Sequence, residues 1–423
     1  MTDAAIPERA RRPGRSDQAL TLVIALDYLL ANLGRFSLMP VMAILLASRG
    51  GEDGWITTGI GLFGFTLCSG LSALLATRLL PKLPYAVTLP VSMAFPAVGF
   101  GFLPAAEGPV AALVLLLVAG FGMSVHGVVV RVLIAELVAG EAGRNKIYSV
   151  QQIATNAAAA LGPFIAAALY VSGDARPLLV LVAAAYVLAG VTLAVGVPRG
   201  LRPPATVGER TRGWTAGLAL LRDPQSRRVT LITAVGMFGY AQFYSAFALL
   251  VALAIDSTLL RGALLGGPPV AIVFLQALVT MLVNRRLRAG TRPLQILALA
   301  TLVFGIAMAF LGVGLPVVVG AVAAMAVFAV AEMLFTPMVS TAFNSISNAS
   351  PLAASNLQQV AWTSGEALGS LCGGAVFLLC YQNGVSGPYW LVLAVVTAVS
   401  ALPYLTNRLA GEPRRTTPER TAA

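Results

Sequence analysis

Histidine is almost absent from this chain: one residue, His126, in 423. A multi-histidine metal centre is therefore excluded. The three cysteines, Cys68, Cys372 and Cys380, sit inside apolar stretches without metal-ligand spacing, so neither a metal nor a cofactor is expected. The chain also lacks a G-x-x-x-x-G-K-[ST] loop, a G-x-S-x-G elbow and an H-E-x-x-H pair, which leaves nucleotide phosphates and familiar hydrolase chemistry without a cradle. A membrane acyltransferase would have to use His126 as its only imidazole base, and no enzymatic activity is expected. Charge is scarce too, at 11% of residues.

What fills the chain instead is apolar: 58% of residues, with a mean hydropathy of +0.84. A soluble protein of this length could not hide so much apolar surface in its cores, so most of it faces lipid. A helix needs about 20 residues to cross about 30 Å of hydrocarbon. Polar and Pro/Gly-marked breaks divide the chain into twelve such segments, at 18–47, 55–80, 86–104, 110–138, 147–172, 177–197, 229–255, 264–284, 293–314, 316–342, 355–380 and 388–407. The expected fold is an all-α membrane protein of twelve transmembrane helices in two six-helix bundles.

The placement of the 28 Lys and Arg residues orients it. The N-terminal tail, the C-terminal tail and the connections after even-numbered segments hold 23 of them. The opposite connections hold only Arg49, Arg176 and Arg261, while Arg35 and Arg131 fall within segments. Positive charge stays on the cytoplasmic side, so both termini are expected there, in a cell membrane, inner or plasma. Basic loops beside anionic headgroups account for the net charge of +11 without any nucleic acid. The expected organisation is a tail at 1–17, a bundle at 18–197, a Pro- and Arg-rich linker at 198–228, a bundle at 229–407 and a tail at 408–423. The protein is expected to act as a monomer in the lipid bilayer.

The halves resemble each other. A shift of 207 residues carries Gln151 onto Gln358, Gln152 onto Gln359, Leu161 onto Leu368 and Gly162 onto Gly369. The same shift carries Arg78 onto Arg285 in a separate region. Parallel repeats point to a secondary transporter with its substrate site between them, near the bilayer midplane.

These residues resemble the major facilitator superfamily across essentially the whole chain. Its loop between helices 2 and 3 usually reads G-x-L-x-D-R-x-G-R-R; here Ala73, Leu75, Thr77, Arg78, Leu80 and Lys82 hold the matching positions. Thr77 replaces the gating acid. Glu136, Glu141 and Arg144 resemble the next cytoplasmic loop. Ala158, Gly162, Pro163, Ala166 and Ala167 resemble the antiporter motif of drug:proton exchangers in helix 5, whose physical content is close helix packing plus a Pro-induced bend. The arginine usual in the first half of helix 4 is replaced by apolar residues near Leu116 and Val118, with Arg131 further along. The resemblance assigns Arg78, Arg144, Gly162, Pro163 and Arg285 to gating and motif positions.

An ionised side chain at mid-bilayer costs about 2.5 to 3.5 kcal/mol on insertion scales, so each one demands a partner, a proton or an aqueous cavity. The chain carries Asp27 and Arg35 in helix 1, His126 and Arg131 in helix 4, Glu332 in helix 10 and Glu366 in helix 11. Asp27 is expected to be the main proton carrier, its structural alternative being an ion pair with Arg131 or another cation. Glu332 and Glu366 are further proton candidates. Arg35, His126, Arg131, Gln151, Asn156, Tyr240, Tyr244 and Gln358 are the candidate cavity residues, with interhelical hydrogen bonding or packing as the alternative for each. The resemblance implies proton-coupled export of a small amphiphilic molecule such as a drug, toxin or secondary metabolite, by alternating access. The alternative is uptake or facilitated diffusion of a sugar, organic acid or other metabolite.

Overall fold

The computed structural model describes residues 16–49, 51–72, 83–137, 141–170, 174–202, 219–346 and 351–405. Among these the chain forms twelve long membrane-crossing helices. They are α1 (Ser16–Arg49), α2 (Gly54–Leu71), α3 (Tyr85–Gly101), α4 (Gly108–Leu137), α5 (Glu141–Leu169), α6 (Arg176–Gly196), α7 (Pro224–Ala254), α8 (Thr258–Arg288), α9 (Pro293–Gly312), α10 (Val317–Asn344), α11 (Pro351–Leu371, continuing to Gln382) and α12 (Ser386–Leu405). The fold is therefore all-helical, as the apolar segmentation requires: lipid offers no hydrogen bonds to a backbone, and a helix satisfies its own.

The 207-residue shift runs through the whole architecture. Moved by that amount, α4 falls on 315–344 and meets α10 at Val317–Asn344, and α1 falls on 223–256 and meets α7 at Pro224–Ala254. Several helix starts precede the sequence reading: α5 begins at Glu141 rather than 147 and α8 at Thr258 rather than 264. Helix α7 starts five residues before 229, because Asp223 caps it by accepting hydrogen bonds from the Ser226 backbone N–H at 2.8 Å and hydroxyl at 3.0 Å, with Pro224 in the first turn. The expected end of α2 near 80 lies outside the described residues.

Within each half, small residues let helices touch backbone to backbone. A Cβ on Gly162 of α5 would stand 2.6 Å from the carbonyl carbon of Phe36 and 2.7 Å from the amide nitrogen of Ser37, both in α1. Its repeat partner, Gly369 of α11, meets the Phe238 carbonyl oxygen of α7 at 2.6 Å. Backbone cannot step aside as a side chain can. Gly162→Ala is thus expected to destabilise the protein by about 1 to 3 kcal/mol, read as a lower unfolding midpoint in detergent. An unchanged midpoint would show that α1 and α5 can separate freely.

Each half also loosens its helices at related places. The N-terminal half has Pro40 in α1 and Pro163 in α5, each deleting one helix hydrogen bond. The C-terminal half has π turns at Phe243–Phe247 in α7 and Cys372–Val376 in α11. Under the shift, the first π turn covers the counterparts of Phe36 to Pro40.

Call the end holding Ser16 and Leu405 the terminal face, and the other the far face. Toward the far face the halves close on each other through α1 against the last part of α7 and α5 against α8, where Gly262 and Gly266 receive Phe164. Helices α2 and α11 touch along much of their length, from Gly59 at Ala375 to Gly70 at Thr363. Among the described residues α4 and α10 make no comparable contact across the halves.

Candidate functional site

Two helix stripes face each other at the middle of the bundle. On α1, Tyr28, Asn32 and Arg35 recur at i, i+4 and i+7; on α11, Gln359, Trp362, Thr363 and Glu366 recur at the same periodicity. With Ser69 and Gly70 from α2 and Met123, His126 and Gly127 from α4, they enclose a cavity of about 220 Å³. It lies on the terminal-face side of an ion pair.

That pair joins the two halves. Arg35 Nη2 stands 3.8 Å from Glu366 Oε1, with side chains 36% and 15% exposed. Glu366 Oε2 also accepts the indole N–H of Trp362 at 3.2 Å. Arg35 Nε, in contrast, is buried without a hydrogen-bond partner. Beyond the pair a smaller recess continues toward the far face between Met39, Phe65 and Tyr244. The pair is therefore a removable partition, and it holds unused donor capacity.

A second ionisable pair borders the cavity. Asp27 is fully buried, and one of its oxygens meets His126 Nε2 at 2.7 Å. Its other oxygen, Oδ1, is buried with no partner. His126 lines the cavity, with the Tyr28 ring 5.9 Å from its own. A carboxyl and an imidazole in contact can share a proton as a unit, so this dyad can change charge without leaving an isolated buried ion.

The third acid lies in the C-terminal half. Glu332 of α10 is half-buried, and its Oε2 is covered and unpartnered. Tyr240 packs against Tyr244 at 5.2 Å between ring centroids and against Phe328 at 5.7 Å. Pro337, four residues after Met333, takes the helix donor away from the Met333 carbonyl. Gln276 of α8 supplies another, at 3.3 Å.

The sequence profile of the Major Facilitator Superfamily matches residues 24–370, most of the described bundle. The chain belongs to the major facilitator superfamily. It is a secondary transporter of that type, carried by a twelve-span membrane fold. No curated protein sequence matches it significantly. Among solved structures it is similar to a POT family transporter in complex with a thioalcohol-conjugated peptide, at 11% identity and a TM-score of 0.72 over 92% of this chain and 98% of that one. A POT family transporter in complex with 5-aminolevulinic acid gives 11% identity and a TM-score of 0.67 over 92% and 96%. A bacterial homologue of the human lysosomal transporter Spinster, inward-facing and unoccupied, gives 14% and 0.64 over 95% of each chain.

Against this superfamily architecture the expected residues sort by geometry. Arg35, His126, Tyr244 and Glu366 border the central space, Asp27 touches it through His126, and Tyr240 and Glu332 lie behind Tyr244. Arg131 is exposed on α4 and does not pair with Asp27. Five residues on from His126, it points about 140° around the helix. Asn156 accepts from Gln152 at 3.0 Å and Gln358 donates to Ser340 at 3.1 Å, while Gln151 is buried with Nε2 unpartnered; none of the three lines the central cavity. Arg285 is exposed in the last turn of α8. Arg78 lies outside the described residues, and of Arg144 only the helical backbone is described. Gln359, weighed with Gln358 as a substrate contact, lines the cavity, and sequence reasoning missed Tyr28, Asn32, Tyr186, Trp362 and Thr363. The i, i+4, i+7 stripe through Arg35, and its counterpart through Glu366, would have found most of them.

Proposed function

We infer that this transporter imports a small zwitterionic solute, coupled to proton movement. One observation carries the reading: a cation and an anion, Arg35 and Glu366, face each other across the two halves at the central cavity. A lone carboxylate ligand would satisfy Arg35 and strand Glu366; a lone cation would do the reverse. A molecule bearing both charges satisfies both groups as it parts them, and it replaces the link between halves with itself. The cavity of about 220 Å³ suits an amino-acid-sized to dipeptide-sized molecule. Asp27 with His126 supplies the proton site beside it.

Uptake is favoured over export of amphiphiles. Similar folds have been solved with a peptide and with 5-aminolevulinic acid bound. The Gly162-Pro163 run, which suggested export, has a sufficient role in packing α5 on α1. Basic connections put the terminal face in the cytoplasm, so closure at the far face corresponds to an inward-facing state.

The test uses the full chain in proteoliposomes with an imposed inward pH gradient and a panel of labelled dipeptides and amino acids. Accumulation of a zwitterion, with loss of at least about tenfold in competition by its N-acetyl and C-amide analogues, is the expected outcome, since each blocked end leaves one buried charge unpaired. Equal competition by blocked and free forms would reject the zwitterion. Accumulation unaffected by the pH gradient would reject proton coupling.

A further inference from the structure

We propose that Gln242 is a positioning residue for the substrate site: it ties α7 to α11 one turn beyond Glu366, and so holds that carboxylate where it meets Arg35 or the ammonium group of a solute. This rests on the zwitterion reading above and adds the residue that sets one of its two charges in place.

Gln242 is 1% exposed, and its amide is used on both sides. Nε2 donates to the Gly369 carbonyl of α11 at 2.9 Å, and Oε1 accepts the Tyr389 hydroxyl of α12 at 2.6 Å. A weaker contact at 3.4 Å runs from Nε2 to the Phe238 carbonyl of its own helix. The orientation of the amide is fixed, because the Gly369 carbonyl can only accept and must therefore face the NH₂ group. Tyr389 is held in turn by Phe377, whose ring lies edge-on at 5.4 Å between centroids. One buried side chain thus joins three helices with both of its polar atoms engaged.

The clasp stands at the start of both π turns. Gln242 is the last residue before Phe243–Phe247, and Gly369 comes three residues before Cys372–Val376. The two turns touch: a Cβ on Gly373 would collide with the Ser245 hydroxyl and stand 2.9 Å from the Ala246 amide nitrogen. A π turn interrupts the regular ladder, and the Gln242 amide supplies a bond between the helices where that interruption begins.

The same two segments carry the site. Tyr244 and Ser245 of α7 and Glu366 and Ser370 of α11 line the recess with Arg35. Glu366 precedes Gly369 by three residues, about 4.5 Å along the helix axis. Because Arg35 belongs to the other half, its approach to Glu366 is only as definite as the placement of α11. The repeat ties the clasp to the acid: the 207-residue shift puts Arg35 at the place of Gln242, Val182 at that of Tyr389 and Ala159 at that of Glu366. The half without the acid has no such clasp.

A displaced Glu366 weakens the grip on a free amine and leaves the grip of Arg35 on a free carboxylate intact. The test is uptake of tritiated dialanine into proteoliposomes under an inward pH gradient, in competition with unlabelled dialanine, its N-acetyl form and its C-amide. In Gln242→Leu the preference for dialanine over the N-acetyl form is expected to fall from at least about tenfold to about two- or threefold, with the preference over the C-amide unchanged. A folded Gln242→Leu that keeps both wild-type preferences overturns the proposal. So does one in which both fall together, which is the mark of a generally looser bundle. Folding is checked by the unfolding midpoint in detergent; should Gln242→Leu not fold, Tyr389→Phe, which removes only the hydroxyl that orients the amide, is judged by the same two ratios. A wild type that ignores dialanine, or prefers it over neither blocked form, brings down the zwitterion reading instead, and that result distinguishes the two failures.

Discussion

At one imposed pH unit, Asp27→Asn is expected to collapse solute accumulation from about tenfold to none. Each proton coupled to the solute contributes about 1.4 kcal/mol per pH unit, a factor of about ten, so loss of the proton carried beside His126 removes that driving force. The substitution keeps shape and polarity: an amide side chain still accepts from His126 at the position Asp27 holds. What is lost is the capacity to exchange a proton. The end point of accumulation is an equilibrium quantity, indifferent to how slowly a variant reaches it, so labelled solute at steady state is the measurement. An Asp27→Asn variant that still concentrates solute tenfold would remove this acid from coupling.

Breaking the Arg35–Glu366 pair from one side should be nearly as severe for binding. Arg35→Ala strands Glu366 beside Trp362, and Glu366→Gln leaves the partly exposed guanidinium without its carboxylate. Truncating one member of a buried pair costs upward of about 2 kcal/mol, and the partial exposure of Arg35 keeps the expected loss at about 2 to 3 kcal/mol, or roughly 30- to 150-fold in Kd. The double variant should be little worse than either single one, because the two residues grip the same solute and first grip each other. Trp362 lies in the cavity, and its fluorescence offers a titration that requires no transport. Fully additive losses would place the two charges in separate interactions.

The fold was legible in sequence because the bilayer imposes it. Spans of apolar residues, basic connections on one side and one constant offset between halves each follow from lipid physics or duplication, and the family follows from the same residues. The site was legible in part. Asp27, Arg35, Glu332 and Glu366 stood out because charge in an apolar helix is expensive. Glu366 did so twice, since its counterpart in the first half is Ala159. Their pairings were not readable. Asp27 and His126 are separated by 99 positions, and Arg35 and Glu366 lie in different halves. Gln358 and Gln359 could not be told apart, since neighbours on a helix point about 100° apart, and of the two Gln359 faces the cavity. Which face of each helix turns inward is decided by packing such as Gly162 on Phe36, which a single sequence does not record.

The contrast between prolines in α1 and α5 and π turns in their repeat counterparts α7 and α11 sets how these paired helices can change shape. A proline is covalent: Pro40 and Pro163 withhold one helix hydrogen bond from α1 and α5 in every state the protein visits. A π turn is only a hydrogen-bond register, and sliding the ladder by one residue irons it out or moves it along the helix. The paired helices of the two halves therefore differ mechanically, α1 and α5 carrying fixed breaks and α7 and α11 breaks that can move. Rotation of the side chains along α7 and α11, including Tyr244 and Glu366, can accompany such a slide, whereas Asp27 and Arg35 keep their angular relation.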